Sequence, residues 1–196
     1  MFSHLIGNST AKQLLEHMAE KGSVPCSLLF YGPASACKKE FAIALARRLL
    51  ATHKKEPPDL HLLLPEGEKT LHHPITAIRA LIQEASLPPF EAPCKVFIID
   101  DAEKMLPASS NALLKTLEEP PEKTYIILIA EDPKFLLPTI VSRCQKVPFF
   151  STTVAPAPQS SLIKQLLAAR SYTALQAALG AVADELDSDL VFEELL

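Results

Sequence analysis

No C-x-x-C pair occurs in this sequence. Its four cysteines, Cys26, Cys37, Cys94 and Cys144, stand far apart, with no histidine near them at zinc-binding spacing. Free thiols in a reducing compartment and no metal site are therefore expected. The adjacent His72 and His73 have no further ligand nearby and are expected on the surface of a loop. Positive charge is not in excess either. Lys and Arg number 19 against 23 Asp and Glu, a net charge of -4, which removes the global electrostatic reason to sit on a polyanion. The one basic cluster, Arg47, Arg48, Lys54 and Lys55, reads as a solvated helix end. No apolar run reaches the length of a membrane span, and the first residues lack the basic-then-apolar pattern of a signal peptide. A cytoplasmic protein with no membrane partner is expected, and no internal repeat is visible.

What is present suits one ordinary core with a small appendage: 48% of the 196 residues are apolar. Ala11, Leu14, Leu15, Met18 and Ala19 recur at helical spacing, with Ser9 or Thr10 as the cap and an end near Gly22. SLLFY, 27 to 31, reads as a strand, and Phe41, Ala42, Leu45, Ala46 and Leu49 as the helix after it. Pro57 and Pro58 precede a short apolar run, DLHLLLP, and Ile75, Ile78, Leu81, Ile82 and Ala85 mark a further helix closed by Pro88 and Pro89. KVFIID, 95 to 100, and YIILIA, 125 to 130, are continuous apolar, β-branched runs of the kind buried on both faces of a parallel sheet. Between them SSNALLKTLEEPP, 109 to 121, reads as a capped helix ended by prolines. Strands alternating with helices predict a three-layer α/β domain over 1–150, with chemistry at the carboxyl ends of the strands. The last segment, 151 to 196, opens on STTVAPAPQSS, which is small, polar and proline-bearing. A linker, two short helices (162 to 170 and 173 to 183) and an acidic tail are expected there.

The first strand runs into FYGPASACKKEF, 30 to 41, which has the placement of a phosphate-binding loop of the form G-x-x-x-x-G-K-[ST]. Gly32 and Lys38 keep the spacing, Cys37 replaces the second glycine, and Lys39 replaces the hydroxyl that would hold Mg²⁺. A Cβ at position 37 should strain or block a loop that needs φ > 0. A cation at position 39 should repel magnesium. The frame thus predicts a strand, loop and helix kept for architecture, with nucleotide chemistry weakened or gone. Downstream, the strand ending in Asp100 and Asp101 has the form of the acidic half of a nucleoside-triphosphatase site. Asp100 fits the acid that orients magnesium. Asp101 has two readings: a shortened general base, or a helix N-cap.

IIDDAEKM, NALLKTLEEPP and LLPTIVSRC, with the opening FSHLIGNSTAKQLL, resemble the clamp-loader branch of the AAA+ family from about Phe2 to Phe150. The resemblance implies a three-layer AAA+ P-loop-type domain with a parallel sheet, in the rigid, non-hydrolysing class of subunit. Such a subunit has no ATPase activity of its own and works inside the DNA polymerase III holoenzyme. Its implied partners are clamp-loader ATPase (gamma/tau) subunits, a delta subunit, the sliding clamp indirectly, and primed DNA through the complex. Ser142, Arg143 and Cys144 fall on the motif that supplies an arginine finger in trans to the nucleotide of a neighbouring subunit. A planar, permanently charged guanidinium suits that task. No cofactor of its own is implied.

Three departures matter. The stretch from Ala51 to Leu62 has no cysteine, so the zinc module common in this class is not expected. AEDP, 130 to 133, has Ala130 and Glu131 where a hydrolysing relative carries a small polar sensor, and Glu131 would repel a γ-phosphate. The collar domain through which family members oligomerise is expected to be missing from this chain. The alternative to an assembly subunit is a weak AAA+ ATPase in which Lys38 and Asp100 still bind nucleotide.

Overall fold

A computed structural model describes residues 2, 5, 7–54, 56–67 and 70–150. The linker and the two helices expected over 151–196 lie outside the described residues. Five parallel strands form one sheet in the order β2-β3-β4-β1-β5, where β1 is Ser27–Tyr31, β2 Leu60–Leu63, β3 Lys95–Ile99, β4 Thr124–Ala130 and β5 Gln145–Pro148. The helices are α1 (Ser9–Glu20), α2 (Lys38–Leu49), α3 (Ile75–Ala85), α4 (Pro107–Glu118) and the single turn α5 (Pro138–Val141).

Alternation along the strands builds two cores. Val96 and Ile98 of β3, with Leu28, Phe30, Ile127 and Ile129, pack against Leu15 of α1 and Phe41 and Leu45 of α2. Phe97 and Ile99, with Leu29, Ile126 and Leu128, pack against Ile78 of α3, Leu113 and Leu117 of α4 and Ile140 of α5. The sheet is therefore covered on both faces, which explains why β1, β3 and β4 read as unbroken apolar runs. The expected three-layer α/β class is the observed one. Among the described residues, no helix is long and apolar enough to cross a membrane.

Several local expectations need correcting. Neither Ser9 nor Thr10 caps α1. The residue at its head is Asn8 at φ 51°, and its side chain works elsewhere, accepting from Phe150 N at 2.7 Å and donating to the Ala36 carbonyl at 3.3 Å. Asn tolerates this left-handed backbone better than most residues. α4 begins two residues early, on Pro107 at its first turn. Ser109 is no cap but a wholly buried hydroxyl donating to the His73 carbonyl at 2.9 Å. The histidine pair splits: His72 is partly exposed, while His73 is completely buried, its Nε2 2.7 Å from the carbonyl oxygen of Asp100. All four cysteines are free, as expected.

Candidate functional site

The carboxyl ends of β1 and β3 bring Gly32, Cys37, Lys38, Lys39, Asp100 and Asp101 to one edge of the sheet, as the motif spacing implies. There all of them but Gly32 border a cleft of about 250 Å³ that Glu131 also lines. Small-molecule sites usually run from ~300 to 1,000 Å³.

Each group that would serve a nucleotide is engaged with the protein itself. Lys38 Nζ is turned back onto its own loop, donating to the carbonyls of Gly32 at 2.6 Å and Pro33 at 2.8 Å. Burial pushes the Lys38 ammonium below its usual range, opposed by the carboxylates of Glu131, Glu103, Asp100 and Asp101. Lys39 Nζ lies 3.1 Å from Asp100 Oδ2 and so holds the oxygen that would face magnesium. Asp101, at φ 47°, stands at the N-cap position of the short 3-10 turn Ala102–Lys104, but its side chain makes no cap bond; its Oδ2 accepts from Lys104 Nζ at 2.7 Å, a bond that raises the Lys104 pKa. Asp101 thus holds the cap position without side-chain capping, because its carboxylate is turned to a lysine side chain rather than to backbone donors. Beside it, burial raises the Glu103 carboxyl, and the nearby charges of Asp101 and Glu131 add to the rise. Glu103 Oε1 accepts from Glu131 N at 3.2 Å.

The loop backbone tells the same story. Cys37 sits at φ 53°, ψ 32°, the left-handed conformation that the replaced glycine adopts without cost. The strained dihedral expected for a side chain at this position is the one seen. Gly32 keeps its glycine for packing. At φ 146° a Cβ there would overlap the Phe149 carbonyl oxygen and lie 2.8 Å from its carbon, because β5 closes against β1 through Phe149 N and the Tyr31 carbonyl at 2.7 Å. A magnesium nucleotide does not fit these residues. The acid for the metal is bridged, the lysine for the phosphates is bonded to carbonyls, and the remaining carboxylates repel a polyanion.

A second group of polar residues lies at the far end of α4. Arg143 follows α5 and is 31% exposed. Its Nε donates to Glu118 Oε1 at 2.7 Å and its Nη2 bonds the same oxygen, while Nη1 donates to the Thr139 carbonyl at 2.8 Å. Ser142 Oγ donates to the Thr139 carbonyl at 3.1 Å and lies 3.4 Å from Nη1. Cys144 is buried in the core beneath, and burial pushes its thiol up to about 12. Of the three motif residues, only Arg143 offers a charge to the surface; Ser142 steadies the turn and Cys144 anchors it. An exposed pair such as Arg143 with Glu118 contributes only ~0.2–1 kcal/mol to folding. Sequence reasoning missed Glu118, Glu103 and His73. A signal for the first was available: an acid on the last residue of a helix opposes the helix dipole and wants a cation.

Comparison with known proteins places these features. A family model described as "DNA polymerase III, delta subunit" matches residues 7–153. The DNA polymerase III subunit delta' of Bacillus subtilis is 36% identical over 153 residues, which cover 70% of this chain and 46% of that protein. The gamma/tau subunit of Mycobacterium bovis is 28% identical over 165 residues, 76% of this chain and 28% of its own length. Among solved structures, a gamma subunit-related protein of Thermotoga maritima aligns with a TM-score of 0.60 at 29% identity, covering 68% of this chain and 45% of that one. The chain spans less than half the length of these relatives.

Proposed function

The chain belongs to the DNA polymerase III delta-prime family of clamp-loader subunits, with the three-layer α/β domain of the AAA+ class, and from that premise we propose that it is an assembly subunit that hydrolyses no ATP itself. In this reading it joins gamma/tau-type ATPase subunits and a delta subunit, presents Arg143 to the ATP of its neighbour, and acts as a fixed wall while the sliding clamp is opened for primed DNA. It is catalytic only in trans.

One observation carries the reading. Both lysines of the loop are bonded to this protein's own carbonyls and carboxylate, whereas Arg143 stands at the surface on a side-chain pair that water screens. A cation on a weak surface pair can be given to another molecule. A cation bonded to the chain's own carbonyls or carboxylate is already occupied.

In mechanism, a guanidinium delivered across a subunit interface would neutralise charge developing on the transferring phosphoryl group, an effect worth about 10³–10⁵ in rate where fingers have been removed. Thr139 and Ser142 hold one edge of the guanidinium, which limits the directions it faces. The test is a loader reconstituted with this chain or its Arg143→Ala variant, assayed for ATP hydrolysis stimulated by primed DNA. We expect assembly to be unchanged and turnover to fall by the share carried by the adjoining ATP site. A full rate with Arg143→Ala would show that the finger assignment is wrong.

A further inference from the structure

The cation offered by Arg143 is already in demand on its own subunit. Nε and Nη2 both bond Glu118 Oε1, and Nη1 is held by the Thr139 carbonyl with Ser142 Oγ close by. A guanidinium has five N–H bonds. Among the described residues, these contacts leave one N–H, on Nη2, uncommitted. Phosphate is gripped best by two parallel donors, so a strong grip requires one of the present acceptors to let go.

Glu118 is the acceptor suited to do so. It is the last residue of α4, where the helix dipole already disfavours a negative charge, and Glu119 adds a second acid beside it. It is 47% exposed, so water can replace the bonds that it gives up. The Thr139 carbonyl is instead part of the one-turn α5 and moves only with the backbone. While paired, Arg143 presents a neutral couple rather than a cation to anything that approaches.

We propose that Glu118 parks Arg143: the carboxylate holds the finger closed on its own subunit until a neighbour's polyphosphate out-competes it. The proposal rests on the finger role of Arg143. Glu118 touches no nucleotide in this scheme; it is a positioning residue that acts through Arg143. Release is a change of side-chain rotamers at the surface, with no covalent step. Because the pair is exposed, the competition amounts to no more than about five-fold and weakens as salt is added.

The experiment uses the reconstituted loader, with steady-state ATP hydrolysis measured against ATP concentration, with and without primed DNA, for wild type, Glu118→Gln, Arg143→Ala and the double variant. Glu118→Gln keeps the shape and an acceptor oxygen while removing the charge. The expected result is an apparent KM for ATP lowered by up to about five-fold, a raised rate without DNA, and convergence on wild type at saturating ATP and at high salt. The double variant should match Arg143→Ala alone. A merely structural Glu118 would alter the melting temperature and leave KM unchanged, and that pattern overturns the proposal. So does a Glu118→Gln rate that falls like Arg143→Ala, since Glu118 would then hold the finger in its working position. Were Arg143→Ala itself without effect, the finger reading would fail first and this inference with it. A defect in Arg143→Ala with an unchanged Glu118→Gln profile removes the parking role alone.

Discussion

Lys39 Nζ sits 3.1 Å from Asp100 Oδ2, so the residue standing where the loop motif has a hydroxyl is paired with the acid that the motif would turn to magnesium. The substitution is therefore more than the loss of a ligand. A tethered ammonium satisfies the carboxylate from within the chain.

That substitution can be reversed on paper. Lys39→Thr frees Asp100 and restores a hydroxyl, and Cys37→Gly relieves the residue at φ 53°. In calorimetric titration with Mg-ATP, the unaltered chain is expected to give no heat at millimolar ligand. The double variant should gain at least about ten-fold in affinity, or ~1.4 kcal/mol, with Glu131 still limiting it. Micromolar binding by the unaltered chain would instead support the weak-ATPase alternative.

Gly32 makes the opposite point, since its motif position survives for a reason unrelated to phosphate. A side chain there would run into the Phe149 backbone from a φ of 146°. Gly32→Ala is expected to cost about 2–4 kcal/mol in urea unfolding, from overpacking against backbone added to a strained dihedral. A cost below about 0.5 kcal/mol, the usual range for a harmless surface change, would show that β5 can yield and that packing does not explain this glycine.

Much of this was legible from the amino acids because the signal was local. β1, β3 and β4 advertise themselves as apolar runs since both their faces are covered, and the first four helices carry their period in their own residues. β2, α5 and β5 do not. Two of the four β5 residues, Gln145 and Lys146, are exposed, and the strand is defined by pairing with β1 rather than by any pattern of its own. The same division runs through the site. Gly32, Lys38 and Asp100 follow from motif spacing, but the grip of Glu118 on Arg143 joins residues 25 apart and that of His73 on Asp100 residues 27 apart. Such pairs exist only once the helices have packed. The sequence alone puts His73 on a loop surface because the adjacent His72 and His73 have no further ligand nearby. In the fold it is buried, with Nε2 against the Asp100 carbonyl and its own carbonyl accepting from the Ser109 hydroxyl.

Asp59 shows how a loop beside the sheet is held. Completely buried, it accepts from the backbone N–H groups of Phe90 at 2.6 Å, Glu91 at 2.9 Å and Ala92 at 2.9 Å, while its own carbonyl accepts from Val96 N. Burial works to raise its carboxyl, and the three N–H groups prevail, leaving its pKa below the ordinary 3.8. A depressed folded pKa means that this stabilisation is complete above the unfolded value and is lost as pH falls through the folded one, so the effect lies on the acid side of about 4. Asp59→Ala should cost about 2–4 kcal/mol at pH 7, because three donors lose their acceptor. Urea unfolding of the two proteins from pH 7 downwards should show the gap between their stabilities narrowing towards the acid end. A gap that stays constant with pH would mean that the ionised carboxylate is not the acceptor.

The thiols offer a direct test of where the Ser142-Arg143-Cys144 turn is anchored. Cys144 lies in the core with its pKa pushed up to about 12, and Cys94 is buried with its pKa raised to about 11 by burial and by the charge of Asp59; Cys26 and Cys37 are exposed. Since the thiolate is the reacting species, at pH 8 the Cys94 and Cys144 thiols are ionised to about one part in a thousand and one in ten thousand. Ellman's reagent should therefore titrate two thiols quickly in the native protein and all four in denaturant, with the slow pair at least about a hundred-fold behind. Mass spectrometry of the partly labelled protein assigns them. If Cys144 reacted alongside Cys37, the segment under Arg143 would have to open readily, and a guanidinium on a turn that mobile could not be held in line with a neighbour's phosphate. A protected Cys144 is thus what the proposed finger role of Arg143 requires of its base, and that protection can be measured before any loader is assembled.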